Sequence, residues 1–286
     1  MNKRTYDIAV LLATHKRTDA LSRSLFSLID QAQDLDSIQF IFGIDNDDEV
    51  GMNHFVDVIQ PELDRRNINY EAIGFEPLGY MGLNKYYNTL AESADAEWLW
   101  VWCDDAICET DHWDQRIREC TGEFRLLKVH THNEHPYSIF PIYPVAWYEC
   151  LGYLSRHQLI DAECSQIAYY LDVMKIIEIN VTHDRADLTG NNNDENANKK
   201  KYLEGNPSDP RDLYHDSFKL HRLIDSDRLA AYMTAKGLST EWWQGVKTGV
   251  NDTYDKMSQN DPNGQIMRFD VVQDASGQKR MVRQEK

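Results

Sequence analysis

Alternation is the feature that most constrains how this chain can fold. In the first 103 residues, short apolar runs take turns with amphipathic segments. Tyr6–Ala13 is rich in Ile, Val and Leu and reads as a buried strand. Residues 19–32 then place Leu21, Leu25, Leu28 and Ile29 at helical spacing, with Thr18 as the expected N-cap. The pattern repeats: strand Ile38–Ile44, helix 53–66 with Phe55, Ile59 and Leu63 inward, and strand Ile68–Ile73. It closes with helix 82–94, carrying Leu83, Tyr86, Tyr87 and Leu90 inward, and strand Glu97–Cys103. Such a pattern predicts an α/β fold: a mostly parallel, Rossmann-like sheet with helices on both faces. Polar clusters follow Ala13, Ile44 and Cys103, all at strand carboxyl ends, where ligands of such sheets bind.

The second half is less regular. Phe124–His130, Ser138–Tyr143 and Ile176–Thr182 read as strands. Asp161–Met174 reads as a helix with Ile167, Tyr170, Leu171 and Met174 on one side. Asp209–Lys236 reads as another, with Leu213, Leu220, Ile224 and Leu229 packed. Between them, Thr189–Asn198 is asparagine-rich and apolar-poor, which predicts a long loop. A hairpin is expected around Ala275–Gly277. The division is therefore a first unit over residues 1–188 and a mainly helical extension over 189–286.

Charge excludes some partners. The chain has 30 basic and 47 acidic residues, a formal net of −17. Residues 1–150 hold 12 basic and 26 acidic side chains, and the remainder is near neutral. Sequence-blind binding to nucleic acid is disfavoured for the acidic half. An anionic ligand could approach a rim bearing Asp45, Asp47, Asp48, Asp104 and Asp105 only with a cation. No apolar run has the length of a membrane span, and the apolar stretch near the start is too short for a signal peptide. Five cysteines without a C-x-x-C read as reduced thiols, and the expected location is cytoplasmic.

The strongest chemical feature is Asp104-Asp105 directly after an apolar strand. Carboxylates at a strand end suit a hard divalent cation, Mn²⁺ or Mg²⁺, together with phosphates. Several motifs stand around it in order. They are Thr14-His15-Lys16-Arg17 after the first strand, Asp45-Asn46-Asp47-Asp48 after the second, and Gly79-Tyr80-Met81-Gly82-Leu83-Asn84-Lys85 opening a helix. Leu159-Ile160-Asp161-Ala162-Glu163 and Asn180-Val181-Thr182-His183-Asp184 follow. In this order and spacing the chain resembles GT-A fold nucleotide-sugar glycosyltransferases of the family 2 type. Asp104-Asp105 stands in the place of the family's Asp-x-Asp (DXD) motif, in a compact form.

The resemblance implies a metal-dependent transfer of a hexosyl or pentosyl group from a nucleotide-sugar donor, UDP-linked by preference, to an acceptor hydroxyl. The acceptor would be a glycan, or a modified base in DNA. It implies donor contacts at Thr14, Arg17, Asp45, Asp47, Gly82, Asn84, Lys85 and Asp104, with Asp104 on the ribose. It implies metal contact at Asp105. His183 reads equally as a further metal ligand or as an ordinary polar residue after a strand. The general base is Asp161 or Glu163, because the family's adjacent Glu-Asp pair is missing. A sugar-phosphate nucleotidyltransferase is the rival enzyme, but the loop after the first strand lacks its glycines. A catalytically silent binding protein on the same fold is the other alternative.

Lesser signals read more plainly. Trp98, Trp100 and Trp102 share one strand face and read as packing rather than as a sugar platform. Trp113, Trp147, Trp242 and Trp243 are the expected cleft-lining aromatics. His130, His132 and His135 read as an acceptor-side wall rather than a zinc site, for want of a fourth ligand. Cys103 reads as a small buried residue, not a nucleophile. Lys199–Lys201, after the asparagine-rich loop, reads as part of a lid over the donor.

Overall fold

The computed structural model describes residues 4–131, 135, 137–183, 208–247, 269–273 and 279–283. The expected alternation forms. Strands β1 (Tyr6–Thr14), β2 (Ile38–Asp45), β3 (Asn69–Phe75) and β4 (Ala96–Cys103) enclose helix α1 (Thr18–Gln31), the segment Glu49–Arg65 and helix α4 (Leu83–Ser93). That middle segment is α2 (Glu49–His54), a π-helical stretch Phe55–Ile59, and α3 (Gln60–Arg65). Its inward residues Phe55, Ile59 and Leu63 are each four apart, slightly more than one α-helical turn. The wider π turn keeps them on one face.

Downstream lie β5 (Ala106–Cys108), α5 (Trp113–Arg118), β6 (Leu126–Thr131), β7 (Ile142–Pro144), α6 (Val145–Leu151), α7 (Ile160–Leu171) and β8 (Met174–His183). Helix α8 (Asp216–Ala235) and the antiparallel pair β9 (Phe269–Gln273) and β10 (Lys279–Arg283) complete the named elements. The large sheet has the order β3-β2-β1-β4-β7-β6-β8-β5. Strands β1 to β4 run parallel to one another, as do β6 and β8. Strand β7 is antiparallel to β4 and β6, and β5 is antiparallel to β8.

Side-chain alternation builds two cores, one on each face of the sheet. Ile8, Val10 and Leu12 of β1, with Trp98, Trp100 and Trp102 of β4, pack against Leu21, Leu25 and Leu28 of α1. Ala9, Leu11, Leu99 and Val101 face the other way, onto Tyr86, Tyr87 and Leu90 of α4 and Trp147 of α6. The three β4 tryptophans are buried packing residues, as expected.

Several expectations change. Thr18 is the first residue of α1, and Arg17 holds the cap position without a side-chain cap bond. Met174 starts β8 instead of ending α7, because α7 stops at Asp172 in a left-handed conformation. Of the 138–143 run only Ile142 and Tyr143 pair as strand, in β7; the Ser138 amide is taken by the Ser165 hydroxyl at 2.8 Å. Residues 208–215 are turns, so the long helix starts at Asp216. Its inner face is Arg222, Asp225, Ser226, Leu229, Ala230 and Met233, which leaves Leu220 and Ile224 56% and 43% exposed. Trp113, Trp147 and Trp243 are fully packed inside and line no cleft; among the four, only Trp242 is exposed. The Trp113 indole donates to the Leu28 carbonyl and stacks edge-on to Trp100, which accounts for its burial. The asparagine-rich segment, Lys199–Lys201, His132 and Ala275–Gly277 lie outside the described residues.

Asp48 joins fold to site. This fully buried carboxylate caps α2 through the Gly51 amide at 2.8 Å and also accepts the Lys16 amide at 2.6 Å. Lys16 sits at φ 56°, so the loop after β1 is held in a left-handed turn by a residue on the loop after β2. Asp48→Ala should cost roughly 2–3 kcal/mol, because two buried amides lose a charged acceptor. Chemical denaturation of the variant and the wild type measures the loss.

Candidate functional site

The carboxyl ends of β1, β2 and β4 bring three polar loops to one rim. Residues Asp104 and Asp105 form the turn between β4 and β5. Two bonds fix the end of β4 from opposite faces. The Ser24 hydroxyl of α1 donates to the Cys103 carbonyl at 2.8 Å, and the Tyr87 hydroxyl of α4 donates to the Trp102 carbonyl at 2.7 Å.

Both carboxylates are engaged. Thr14 Oγ1 donates to Asp104 Oδ2 at 2.8 Å, and Arg17 donates to Asp104 Oδ1 at 2.8 Å. The same guanidinium nitrogen reaches Asp105 Oδ2 at 3.2 Å. On the other side, β5 pairs with β8 so that Ala106 faces His183, which sets His183 Nε2 3.3 Å from Asp105 Oδ1. Five expected site residues therefore meet: Thr14, Arg17, Asp104, Asp105 and His183.

The two acids differ electrostatically. Burial pushes Asp104 up to about 6, with the Asp105 charge adding to the rise, while Arg17 and Thr14 oppose it. Burial also acts upward on Asp105, but His183 and Arg17 outweigh it and hold that carboxyl below its ordinary value. Asp105 is thus the firmly ionised member. Cys103, next in line, is pushed well above the usual thiol range by burial and by the Asp105 and Asp104 charges, which keeps it an unreactive thiol. A carboxylate oxygen beside an imidazole nitrogen, in a partly buried rim, is a donor set closer to the preference of Mn²⁺ than to that of the oxygen-seeking Mg²⁺.

The β2 end forms a second cluster. Asp45 is buried, accepts a hydrogen bond from the Tyr86 hydroxyl, and lies 3.0 Å from His15 Nδ1. Burial, then the Asp45 bond, pushes Tyr86 up to about 12. His15, Asp45 and Asp47 can bring one ligand atom each within 4.8 Å of one another. This triad, rather than Asp104, Asp105 and His183, is the three-group set of that compactness among the described residues. His15 and Tyr86 were not expected as site residues. Tyr86 matched an apolar helix face, and its hydroxyl reaches the acid only because α4 packs under β2.

The Gly79–Lys85 motif is explained locally. Gly79 has φ 60°, and a Cβ on Gly82 would lie 2.4 Å from Leu78 Cβ. The Asn84 amide donates to the Arg156 carbonyl at 2.9 Å, and Lys85 is exposed. Asn88, one turn on, binds Leu154 and Ser155 backbone groups. The loop they hold is also clasped by Glu163, which is 1% exposed. Its Oε2 accepts the Ser155 hydroxyl, the Arg156 amide at 2.8 Å and the His157 amide at 3.0 Å. Asp161 sits in the same first turn of α7, is only half-buried, and adds its charge to the rise at Cys103. The two acids, equivalent in the sequence, therefore face different surroundings. Of the histidine cluster, His130 lies 3.6 Å from Glu178 of β8.

No protein-family model and no curated protein sequence matches the chain. Solved structures do. The mannosyltransferase PcManGT from Pyrobaculum calidifontis, in complex with GDP-Man and Mn²⁺, matches with a TM-score of 0.54 and 12% identity over 90% of this chain and 84% of that one. S. aureus TarS (1–349) in complex with UDP-GlcNAc matches with a TM-score of 0.50 and 13% identity over 93% and 94%. The chain has the GT-A fold of nucleotide-sugar glycosyltransferases, as its motif order implied.

The raised Asp104 value has a signed consequence. The native state binds that proton more tightly than the unfolded chain, so its contribution favours folding at low pH and is lost as pH rises through about 6. Asp104→Asn should match wild-type stability near pH 4 and exceed it by on the order of 2 kcal/mol above pH 7. Thermal or urea melts across that range measure the difference.

Proposed function

We propose that the chain is a glycosyltransferase that moves a sugar from a nucleoside-diphosphate donor to an acceptor hydroxyl, with a divalent metal at Asp105 and His183. The observation that carries this reading is the ionised, partly buried Asp105 beside His183 on the carboxyl rim of a GT-A sheet. The fold alone would not carry it, since one fold hosts many functions. The neighbours' ligands, GDP-Man and UDP-GlcNAc, differ in base and sugar, so the proposal stops at a nucleoside-diphosphate sugar.

In this reading the donor lies along the rim, over Thr14, Arg17, Asp45, Asp47 and Asp104, with Gly82, Asn84 and Lys85 on the α4 side. Asp105 and His183 would hold the metal, whose positive charge would stabilise a departing diphosphate. Arg17 supplies a further cation to the same group. Asp161 is assigned as the general base of an inverting transfer: it is half-open, whereas Glu163 is closed in by three donors. Glu163 is assigned to positioning the loop 154–158. Residues 1–188 form the catalytic unit of this proposal. The described part of 189–286 buttresses it, with Asp225 of α8 accepting from Tyr153 and lying 3.6 Å from Arg156.

A thermal-shift panel of UDP, GDP and their sugars, with and without Mn²⁺, tests donor and metal together. A shift that needs both nucleotide and Mn²⁺ in wild type and vanishes in Asp105→Ala is expected; equal shifts in the two proteins would refute the metal site. Asp161→Asn should lower transfer by about 10²- to 10⁴-fold while preserving the nucleotide shift. Glu163→Gln should instead lower stability by about 1–3 kcal/mol. The reverse pattern would exchange the two roles.

A further inference from the structure

We propose that Arg17 is a built-in counter-cation that holds the metal position closed until a nucleoside diphosphate draws it away. This rests on the metal site assigned above to Asp105 and His183 and adds a device that makes metal and nucleotide bind together.

A census of the four carboxylate oxygens carries the inference. Asp104 Oδ2 is taken by Thr14 at 2.8 Å and Asp104 Oδ1 by Arg17 at 2.8 Å. Asp105 Oδ2 faces Arg17 at 3.2 Å, and Asp105 Oδ1 faces His183 at 3.3 Å. Every oxygen has a protein neighbour, and one guanidinium nitrogen bridges the pair. A dication liganded by Asp105 would stand beside that guanidinium. Like charges in contact in a partly buried rim repel strongly, so the two cations exclude each other.

Of these neighbours, Arg17 is the one built to leave. Thr14 and His183 end sheet strands, with short side chains fixed by the strand register. Arg17 is on the loop before α1, its side chain is 44% exposed, and its long stem can swing without moving the backbone. It stands at the N-terminus of the 14-residue helix α1, whose cap position makes no side-chain bond. That end carries partial positive charge and orphan amides. A diphosphate arriving there gives the guanidinium a bidentate anionic partner in exchange for the carboxylates. Metal alone must displace Arg17 into solvent. Metal with a nucleoside diphosphate displaces it onto the ligand. The two therefore bind with positive coupling, and by linkage each raises the affinity of the other equally.

The test is a Mn²⁺ titration read by the EPR signal of the free aquo ion, with and without UDP or GDP, requiring no turnover. Arg17→Met should bind Mn²⁺ alone about tenfold more tightly than wild type, and should lose most of the nucleotide-induced gain in Mn²⁺ affinity. Arg17→Lys retains the charge and should keep Mn²⁺ binding weak without nucleotide. If Arg17→Met binds Mn²⁺ alone no better than wild type, the counter-cation role is overturned. Asp105→Asn separates the two levels. Loss of Mn²⁺ binding in that variant upholds the metal site, so that an unchanged Arg17→Met then counts against the counter-cation alone. Retained Mn²⁺ binding, or no binding by any of these proteins with nucleotide present, removes the metal site and this inference together. Thermal melts confirm that each variant is folded.

Discussion

Two adjacent carboxylates at the end of a strand packed on both faces are the constraint around which this structure is arranged. Strand β4 is covered on both faces, so Asp104 and Asp105 emerge from a low-dielectric interior. Unneutralised, such a pair would be costly to fold. The loop after β1 answers with Thr14 and Arg17, and the end of β8 answers with His183. Those contacts depend on sheet order. Strand β1 lies directly beside β4, and the short β5 returns the chain to pair with β8. Burial prevails at Asp104, which is raised toward neutrality against Arg17 and Thr14, whereas at Asp105 His183 and Arg17 outweigh burial and hold the acid ionised.

A second organising element is the loop 153–158 between α6 and α7. Asn84 and Asn88 reach it from α4, Glu163 from α7, and Asp225 from α8 through Tyr153 and Arg156. His157 adds a bond to the Arg211 carbonyl at 2.9 Å, and burial lowers its proton affinity. The glycine-bearing motif, the acidic helix and the C-terminal helix are thus joined through one short backbone segment. Its polar groups are met by side chains from elements distant in the sequence. Helix α8 consequently turns Arg222, Asp225 and Ser226 inward and leaves Leu220 and Ile224 outside, against its apolar pattern.

Much of the first half was legible because its physics is local. A parallel strand buried on both faces must be apolar along its length, and its covering helix must show an apolar stripe. Strands β1, β2 and β4 and helices α1 and α4 follow from that, within a residue or two at each end. The Gly79–Lys85 motif was legible only through its resemblance to a family loop; the positive φ at Gly79 and the close approach at Gly82 that call for glycine are features of the structure. Less was legible where long-range contacts decide. The tryptophans Trp113, Trp147 and Trp243 carry no local mark that distinguishes a core residue from a cleft wall. The 138–143 run has strand composition, yet only its end finds a partner strand.

By itself the sequence determined the alternating elements, the two-faced core of β1 and β4, and the acidic character of the loops at the strand ends, because periodicity and strand polarity are properties of consecutive residues. Only the tertiary structure decided which of those acids share charge with which partner. Asp161 and Glu163 are two residues apart in one helical turn, but one is half-open and the other is enclosed by three donors from the loop 155–157. His183 lies 78 residues after Asp105 in the chain and 3.3 Å from it in space. Proton affinity and cation affinity depend on distance through space and on burial, and neither is set by proximity along the chain.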